Sequence, residues 1–175
     1  MANKTEIRIG GSGGQGVVLA AQILGEAAVL DGKNVVQTQA YGAEARGSLA
    51  KSEVIISDNK IGFPAVRKPD VLVVMTQEAL DKLQKDLKET GTLIVDSTNV
   101  ATTPEKKAKV YKIPITETAK KTFGETMYAN MVMLGAFIKI TKLATVESME
   151  RAIKENVSAR TIETNISAFR KGLTL

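Results

Sequence analysis

The 175-residue sequence contains no cysteine and no histidine, and it also lacks tryptophan. Without cysteine and histidine the chain has no disulfide, no thiolate ligands for an iron–sulfur cluster and no conventional zinc site. Cysteine and histidine nucleophiles and a histidine general base are excluded for the same reason. The sequence also contains no complete catalytic set, and we predict no metal site and no catalytic residue in this chain. If the chain takes part in redox chemistry, another chain must carry the electrons.

Long apolar runs and aromatic residues are also scarce. The longest uncharged apolar stretch, residues 131–138, is far shorter than the ~20 residues that a membrane helix needs. The first residues contain no apolar signal core, which predicts a cytoplasmic protein with no membrane partner. The net charge is +5, but aromatic residues make up only 4% of the chain, and many lysines alternate with acids as on a solvated helix face. We therefore expect no nucleic-acid partner.

The rest of the composition is that of a globular protein. Hydrophobic residues account for 43% of the chain and charged residues for 25%, which favours neither disorder nor a fibrous repeat. A chain of this length can bury a sizeable core and fits one folding unit. We predict a single domain over residues 1–175.

A glycine-rich segment at residues 10–16 is the most prominent motif. It follows a predicted strand, 7–9, and precedes a predicted helix, 17–30. Its G-x-G-x-x-G spacing allows a tight turn and a close backbone approach to a ligand, and a negative charge would be favoured at the helix start. The candidate ligand-binding residues are Gly11, Ser12, Gly13, Gly14, Gln15 and Gly16. The alternative is that the glycines only permit close packing of the helix on the sheet.

The strand after this helix, predicted at 34–39, argues against NAD or NADP as a ligand. A dinucleotide-binding unit carries an Asp or Glu near the end of this strand to hold the ribose hydroxyls, but Gln37 and Gln39 occupy that place. Asp31 comes too early in the chain, and no arginine lies nearby to accept a 2′-phosphate. The strand–helix–strand order itself predicts a parallel β-α-β pair with a right-handed crossover.

A second candidate site follows that strand. Its predicted binding residues are Tyr41, Glu44, Arg46 and Gly47. They lie at the carboxyl end of the strand, on the same edge as the glycine-rich segment, and ligands of open α/β sheets bind at this edge. The alternative is that Glu44 and Arg46 pair with each other or with nearby helix ends.

The rest of the chain predicts an α/β fold: a Rossmann-like three-layer fold with a mostly parallel sheet, an antiparallel edge hairpin and a helical C-terminal part. Further strands are predicted at 51–57, 70–75, 92–95 and 110–115, helices at 77–89, 146–156 and 159–172, and the edge hairpin at 58–59, leading into 60–63. The polar residues 96–98 share the ligand-facing edge, where they either contact substrate or cap the next turn, and capping is the more common outcome. A stripe of Met127, Met131, Leu134 and Ile138 at helical spacing is predicted to face the core or a subunit interface.

Several of these motifs, in the same order, resemble the gamma subunit of 2-oxoacid:ferredoxin oxidoreductases. The shared segments are Gly11-Ser12-Gly13-Gly14-Gln15-Gly16, residues 41–47, residues 51–58, Asn130-Met131-Val132-Met133-Leu134-Gly135-Ala136 and the closing residues 165–172. The segment at residues 51–58, which begins Lys51-Ser52-Glu53, is most similar to that of the 2-oxoglutarate enzymes. The chain departs from the family pattern at Ser48, where many members have glycine, and at Ala43, where proline is frequent.

This resemblance implies a complex that decarboxylates a 2-oxoacid on thiamine diphosphate, passes electrons through iron–sulfur clusters to ferredoxin and forms an acyl-coenzyme A. It further implies that thiamine diphosphate, Mg and the clusters belong to partner subunits, namely alpha, beta and a ferredoxin-like delta chain, and that none is bound by this chain alone. The two candidate segments would then face coenzyme A at a shared site or face the neighbouring chains. A purely structural assembly subunit and a stand-alone nucleotide-binding protein are the alternatives.

Overall fold

A computed structural model of the chain describes residues 4–41, 48–105 and 107–175, with Tyr41 described by its backbone alone. The strands are β1 (Lys4–Ser12), β2 (Asn34–Tyr41), β3 (Leu49–Ser57), β4 (Val71–Val74), β5 (Thr92–Asp96) and β6 (Lys109–Ile113). The α-helices are α1 (Val17–Leu30), α2 (Gln77–Leu83), α3 (Ile115–Phe123), α4 (Ala129–Thr141), α5 (Val146–Asn156) and α6 (Ile162–Gly172). Short 3₁₀ turns follow α2 and precede α4 and α6.

All six strands form one sheet in the order β2-β3-β1-β4-β5-β6. The pairs β1–β4, β4–β5 and β5–β6 are parallel, whereas β3 runs antiparallel to both β1 and β2. Five strands therefore point the same way and only β3 is reversed. This confirms the predicted α/β class with its mostly parallel sheet and antiparallel edge.

Two details of the predicted topology are wrong. The strand β2 points the same way as β1 but does not pair with it, because the chain turns back directly after β2 and places β3 between them. The antiparallel hairpin at the edge is consequently β2–β3. Residues 60–63 form no strand, since Gly62 and the following Pro64 are both poor strand residues.

The sheet separates two apolar layers, which gives the fold its three layers. On one face, Ile7, Ile9 and the matching residues of β3 and β4 pack against α1 and α3–α6. On the other face, Leu72, Val74 and the matching residues of β5 pack against α2 and the chain that follows it. Successive residues of a strand point to opposite faces, so these continuous apolar runs fill both layers.

The helix α4 is the centre of the larger layer. Residues 129–138 are all buried, as expected of a helix that is apolar on every side. Met131, Leu134 and Ile138 of the predicted stripe lie in this core, whereas Met127 precedes the helix and is 60% exposed. A Cβ at Gly135 would lie 2.0 Å from the carbonyl oxygen of Phe169, so this glycine allows α6 to cross α4 at close range.

The helical C-terminal part is also confirmed, with one addition, and a helix earlier in the chain is shorter than predicted. The sequence pattern did not predict α3, which begins directly after Pro114. The helix predicted at 77–89 ends at Leu83 and continues as a single 3₁₀ turn. In that turn, Asp86 accepts a 2.7 Å hydrogen bond from the buried guanidinium of Arg8.

Candidate functional site at the carboxyl edge of the sheet

The glycine-rich segment is divided between a strand and a turn. The strand β1 continues through Gly11 to Ser12, and α1 begins at Val17. The turn is held by its own polar groups: the Ser12 amide donates to Gln15 Oε1 at 2.8 Å, and the Gln15 amide donates to the Ser12 carbonyl at 3.1 Å. A third bond, from the Gly13 amide to the Ser48 carbonyl at 2.9 Å, ties the turn to the start of β3.

The first turn of α1 has unpaired backbone donors. Gly16, the N-cap residue, has φ of 72° in the left-handed region, no side chain caps the helix, and its first turn contains no acidic residue. The amides of Val17, Val18 and Leu19 precede the first intrahelical bond, from the Ala20 amide to the Gly16 carbonyl. The helix dipole places a partial positive charge at this end, so the turn favours an anion.

A cavity opens in front of this turn. Its volume is about 230 Å³, and its lining consists of Ser12, Gly13, Gly14, Gly16, Val17, Val18 and Ala50. The structure thus brings most of the first candidate set to one concave surface. Gly11 and Gln15 lie behind it: a Cβ at Gly11 would lie 2.6 Å from Gln15 Oε1 and 3.0 Å from the Val17 side chain. Gly11 therefore serves packing, as the alternative interpretation of the glycines requires.

Asn130, which the candidate set did not include, lies against this turn. It belongs to the first turn of α4, and its Nδ2 is 3.5 Å from the Gly16 carbonyl oxygen. A Cβ at Gly16 would lie 2.4 Å from Asn130 Nδ2, so Gly16 makes room for the amide. The side chain is only 6% exposed, and its Oδ1 has no hydrogen-bond partner within the described part of the chain. A polar residue inside an otherwise apolar run was the sequence signal for it.

The second candidate segment begins at the same edge. In the sheet register, Tyr41 is paired with Ala50, and Ala50 is paired with Gly11, so the backbone of Tyr41 lies two strands away from the glycine-rich segment. Glu44, Arg46 and Gly47 lie outside the described residues. Whether they bind a ligand or pair with one another stays a prediction.

Polar residues at the end of β5 have a structural role. The carboxylate of Asp96 is fully buried and accepts hydrogen bonds from the Thr98 amide at 3.1 Å, from Asn99 Nδ2 at 2.9 Å and from the amide and hydroxyl of Thr116. Every acceptor position of this carboxylate is thereby engaged within the chain. The predicted capping role is confirmed for Asp96 and for Thr98, whose Oγ1 accepts a hydrogen bond from the Glu117 amide at 3.0 Å.

Neither a metal cluster nor a membrane-spanning helix is found in the described residues. No group of three or more Asp or Glu side chains is placed to hold a metal ion there, and the whole chain has no cysteine or histidine. No helix within residues 4–41, 48–105 and 107–175 is long and apolar enough to cross a bilayer.

Comparison with known proteins identifies the family. The model of the pyruvate ferredoxin/flavodoxin oxidoreductase family matches residues 6–175. The 2-oxoglutarate synthase subunit KorC of Methanocaldococcus jannaschii is 50% identical over 172 residues, which cover 97% of this chain and 92% of that subunit. The solved structure of a keto/oxoacid ferredoxin oxidoreductase gamma subunit from Geobacter sulfurreducens is 43% identical, with a TM-score of 0.87 over 97% of this chain and 96% of that one.

A more distant structure has the same fold. It is a 2-oxoglutarate:ferredoxin oxidoreductase from Magnetococcus marinus with 2-oxoglutarate, coenzyme A and succinyl-CoA bound, and it is 22% identical with a TM-score of 0.88. The similarity covers 98% of this chain but only 30% of that one.

The chain therefore belongs to the pyruvate ferredoxin/flavodoxin oxidoreductase family, a class of multi-subunit oxidoreductases. Within that family it is a gamma-type subunit of a 2-oxoacid:ferredoxin oxidoreductase.

Proposed function

We propose that this chain is the gamma subunit of a thiamine diphosphate-dependent 2-oxoglutarate:ferredoxin oxidoreductase and supplies a surface for coenzyme A at the carboxyl edge of its sheet. The choice of 2-oxoglutarate is supported by the KorC subunit that is 50% identical over almost its whole length. The observation that carries the coenzyme A surface is the start of α1, which has no side-chain cap and lies beside a cavity lined by Gly13, Gly14 and Gly16.

The size of this cavity limits what the chain contributes. Sites that enclose a drug-sized ligand are about 300–1,000 Å³, and the cavity here is about 230 Å³. It can therefore hold only part of coenzyme A, and the rest of the ligand would contact neighbouring chains or the candidate residues Glu44, Arg46 and Gly47 of this chain. The structure with the same fold that contains bound coenzyme A is consistent with a shared site, since its chain is about three times as long as the matched part.

Iron–sulfur clusters do not fit the residues of this chain, because they are held by cysteine thiolates, which the chain lacks. We assign thiamine diphosphate, Mg and the clusters to alpha, beta and ferredoxin-like delta partners, with ferredoxin as the electron acceptor, in the cytoplasm.

The assignment is tested by coexpressing the chain with its partner subunits and measuring dye reduction with 2-oxoglutarate, pyruvate and 2-ketoisovalerate. We expect the complex to turn over 2-oxoglutarate in a coenzyme A-dependent reaction and the isolated chain to show no turnover. Turnover by the chain alone, or a complex that prefers pyruvate, would contradict the proposal.

A pure assembly subunit is the second candidate, favoured by the packing role of Gly11 and by the internal hydrogen bonds of Gln15. The variant Gly13→Val separates the two, because Gly13 is exposed and lines the cavity. The control is Gly62→Val, also exposed and with open space around it. A coenzyme A surface predicts that only G13V raises the KM for coenzyme A, by roughly tenfold. An assembly role predicts an unchanged KM and less assembled complex on gel filtration.

A further inference from the structure

A groove opens at the far end of α1 from the glycine-rich segment. It lies where α4 ends, the chain turns into α5 and α6 has just ended, and its volume is about 740 Å³. Asp31, the C-cap residue of α1, lines this groove, whereas the first turn of α1 lines the cavity beside the glycines. A helix of 14 residues is about 21 Å long, so the groove and the candidate coenzyme A surface are separate.

Apolar side chains and lysines together line the groove. Its three lysines are Lys33, Lys139 and Lys142. Its apolar members are Ile138, Leu143, Ala144, Val146 and Leu173. An apolar surface with a few polar groups is the composition of a binding site.

The one acid of this lining is already used within the chain. Asp31 accepts hydrogen bonds from the amide and the hydroxyl of Thr145 at 2.6 and 2.8 Å, and from the hydroxyl of Ser148 at 2.6 Å. Its carboxylate joins α1 to α5 and is therefore not available to the lysines as a partner.

Two of the three lysines also have partners within the chain. Lys33 forms an ion pair with Asp58, and Lys139 Nζ donates to the Leu175 carbonyl at 2.5 Å. The third lysine, Lys142, has no partner for its ammonium group among the residues that the structure describes. The groove thus presents one uncommitted positive charge beside an apolar surface.

The backbone of Lys142 is unusual as well. Lys142 is the C-cap residue of α4, with φ of 54° and ψ of 31°, and among the described residues it is the one non-glycine with a positive φ. A left-handed helix cap is usually glycine, because a side chain is strained there. This strain exceeds what a cation contributes at an exposed helix end, so capping alone does not account for a lysine. Backbone strain of this kind is typical of binding sites.

The exposure of the groove favours a protein segment over a small molecule. Four residues of its lining are exposed, namely Lys139, Lys142, Thr145 and Val146, whereas a small-molecule site buries most of its ligand. An exposed apolar surface rimmed by polar residues is typical of a protein interface. Because the lysines outnumber the one acid, which is already hydrogen-bonded, the complementary partner is acidic.

We propose that this groove docks an apolar segment of a partner subunit and that a carboxylate of this segment pairs with Lys142. The chain belongs to a class of multi-subunit oxidoreductases, so it has other subunits as partners. Apolar side chains of the segment lie against Leu143 and Val146, and the lysines supply the complementary charge. The proposal rests on the family and not on the proposed coenzyme A surface.

The main test uses the complex coexpressed from this chain and its partner subunits. Lys142→Glu reverses the uncommitted charge. The matched control is Lys120→Glu, since Lys120 is exposed in the last turn of α3 and has no side-chain partner among the described residues. Gel filtration of serial dilutions gives the concentration at which half of this chain has left the complex. We expect K142E to raise that concentration at least tenfold and K120E to change it less than twofold. Equal effects of the two variants would overturn the proposal.

Lys142→Gly separates docking from folding stability. Glycine is unstrained at a left-handed φ, so K142G should raise the Tm of the isolated chain by about 2 °C. The same variant should raise the dissociation concentration of the complex about fivefold, because the charge is lost. A chain that is more stable and yet assembles less well has no folding defect. If K142G assembles as well as the native chain, the proposal is wrong.

The apolar part of the groove is tested by Val146→Ser, with Val29→Ser as the control. Both valines are exposed, at 42% and 55%, but of the two only Val146 lines the groove. We expect V146S to raise the dissociation concentration about fivefold, because a valine covered by the partner loses apolar contact, and V29S to change it less than twofold. Equal effects would contradict the apolar contact.

Two other occupants would overturn the proposal in distinguishable ways. If a second copy of the chain fills the groove, light scattering of the isolated native chain will show a dimer that K142E converts to a monomer, with the complex unaffected. If an apolar carboxylate fills it, the isolated chain will bind decanoate, K142E will abolish this binding, and the complex will again be unaffected. None of these measurements involves coenzyme A, so their failure leaves the proposed coenzyme A surface to be tested by G13V.

Discussion

The two ends of the helix α1 are satisfied in different ways. At the C-terminal end, the C-cap residue Asp31 accepts hydrogen bonds from Thr145 and Ser148 and so joins α1 to the start of α5, and no basic residue lies in the last turn of α1. At the N-terminal end the chain supplies glycines, the buried amide of Asn130 and no acid. An end that is satisfied within the chain contributes to stability, whereas an end left unsatisfied is available to a ligand.

The largest loss of stability is expected at the N-terminal end of α1. Gly16→Ala should destabilise the chain by roughly 3 kcal/mol, because alanine is strained at a left-handed φ by about 1–2 kcal/mol and its Cβ would press on Asn130, which adds about 1–3 kcal/mol of overpacking. The control is Gly14→Ala, since Gly14 also has a positive φ but nothing near its missing Cβ. Urea unfolding that gives the two variants equal midpoints would show that Asn130 does not occupy the space beside Gly16.

The next largest loss of stability is expected at the C-terminal end of α1, where Asp31 follows the helix. Burial raises the pKa of Asp31, but hydrogen bonds from Ser148 and Thr145, with the charge of Lys33, outweigh it and hold that pKa below its ordinary value of 3.8. A lowered carboxyl pKa contributes stability above about pH 4, and this contribution disappears as the pH falls through the pKa of the folded state. Asp31→Asn should therefore cost about 1–2 kcal/mol at pH 7 and much less near pH 3.

This pH dependence is checked by urea unfolding of the native chain, D31N and Glu89→Gln at pH 7 and pH 3. Glu89 is an exposed acid whose replacement should be neutral. A difference between the native chain and D31N that is the same at both pH values would contradict the role of the Asp31 charge. A loss in E89Q comparable with that in D31N would show that overall charge, rather than the joint between α1 and α5, sets the effect.

The smallest loss of stability is expected for the lysines at the C-terminal end of α4, Lys139 and Lys142. The double variant Lys139→Gln and Lys142→Gln should lose about 0.5 kcal/mol at low ionic strength, because exposed charges interact weakly with helix ends. The loss should fall in 0.5 M salt, where such interactions are screened. Glutamine at position 142 leaves the left-handed backbone there equally strained, but the variant at position 139 also removes the hydrogen bond from Lys139 Nζ to the Leu175 carbonyl. The part of the loss that changes between the two salt concentrations in thermal unfolding therefore measures the charge. A loss that does not depend on salt would assign the effect to packing.

Much of this architecture could be predicted because it depends on local pattern. The glycines before residues 17–30 predict the helix there, and continuous apolar runs, which a sheet buried on both faces requires, predict the strands at 70–75 and 92–95. The pairing of strands was predicted less well. Nothing local indicates that β3 lies between β1 and β2, because that placement depends on contacts between residues such as Ile7 and Val54 that are distant in sequence.

The candidate site, like the sheet, could be predicted from local sequence only in part. The glycine spacing located the start of α1, since backbone freedom is a property of the residue itself. The sequence pattern could not separate Gly11, which serves packing, from Gly16, which makes room for a neighbouring side chain. Asn130 was recognised only as part of a motif, because its importance lies in its position beside a residue far away in the chain.

The amino-acid sequence by itself determined what this chain cannot do: without cysteine and histidine it ligates no cluster through thiolates and provides no histidine base, whatever its fold. It also determined the α/β pattern, since hydrophobic periodicity acts over a few residues. Only the tertiary structure decided that the buried amide of Asn130 on α4 lies against Gly16, the N-cap residue of α1. The physical reason is that burial and electrostatic compensation depend on neighbours in space, and α1 and α4 become neighbours only when both pack on the same face of the sheet.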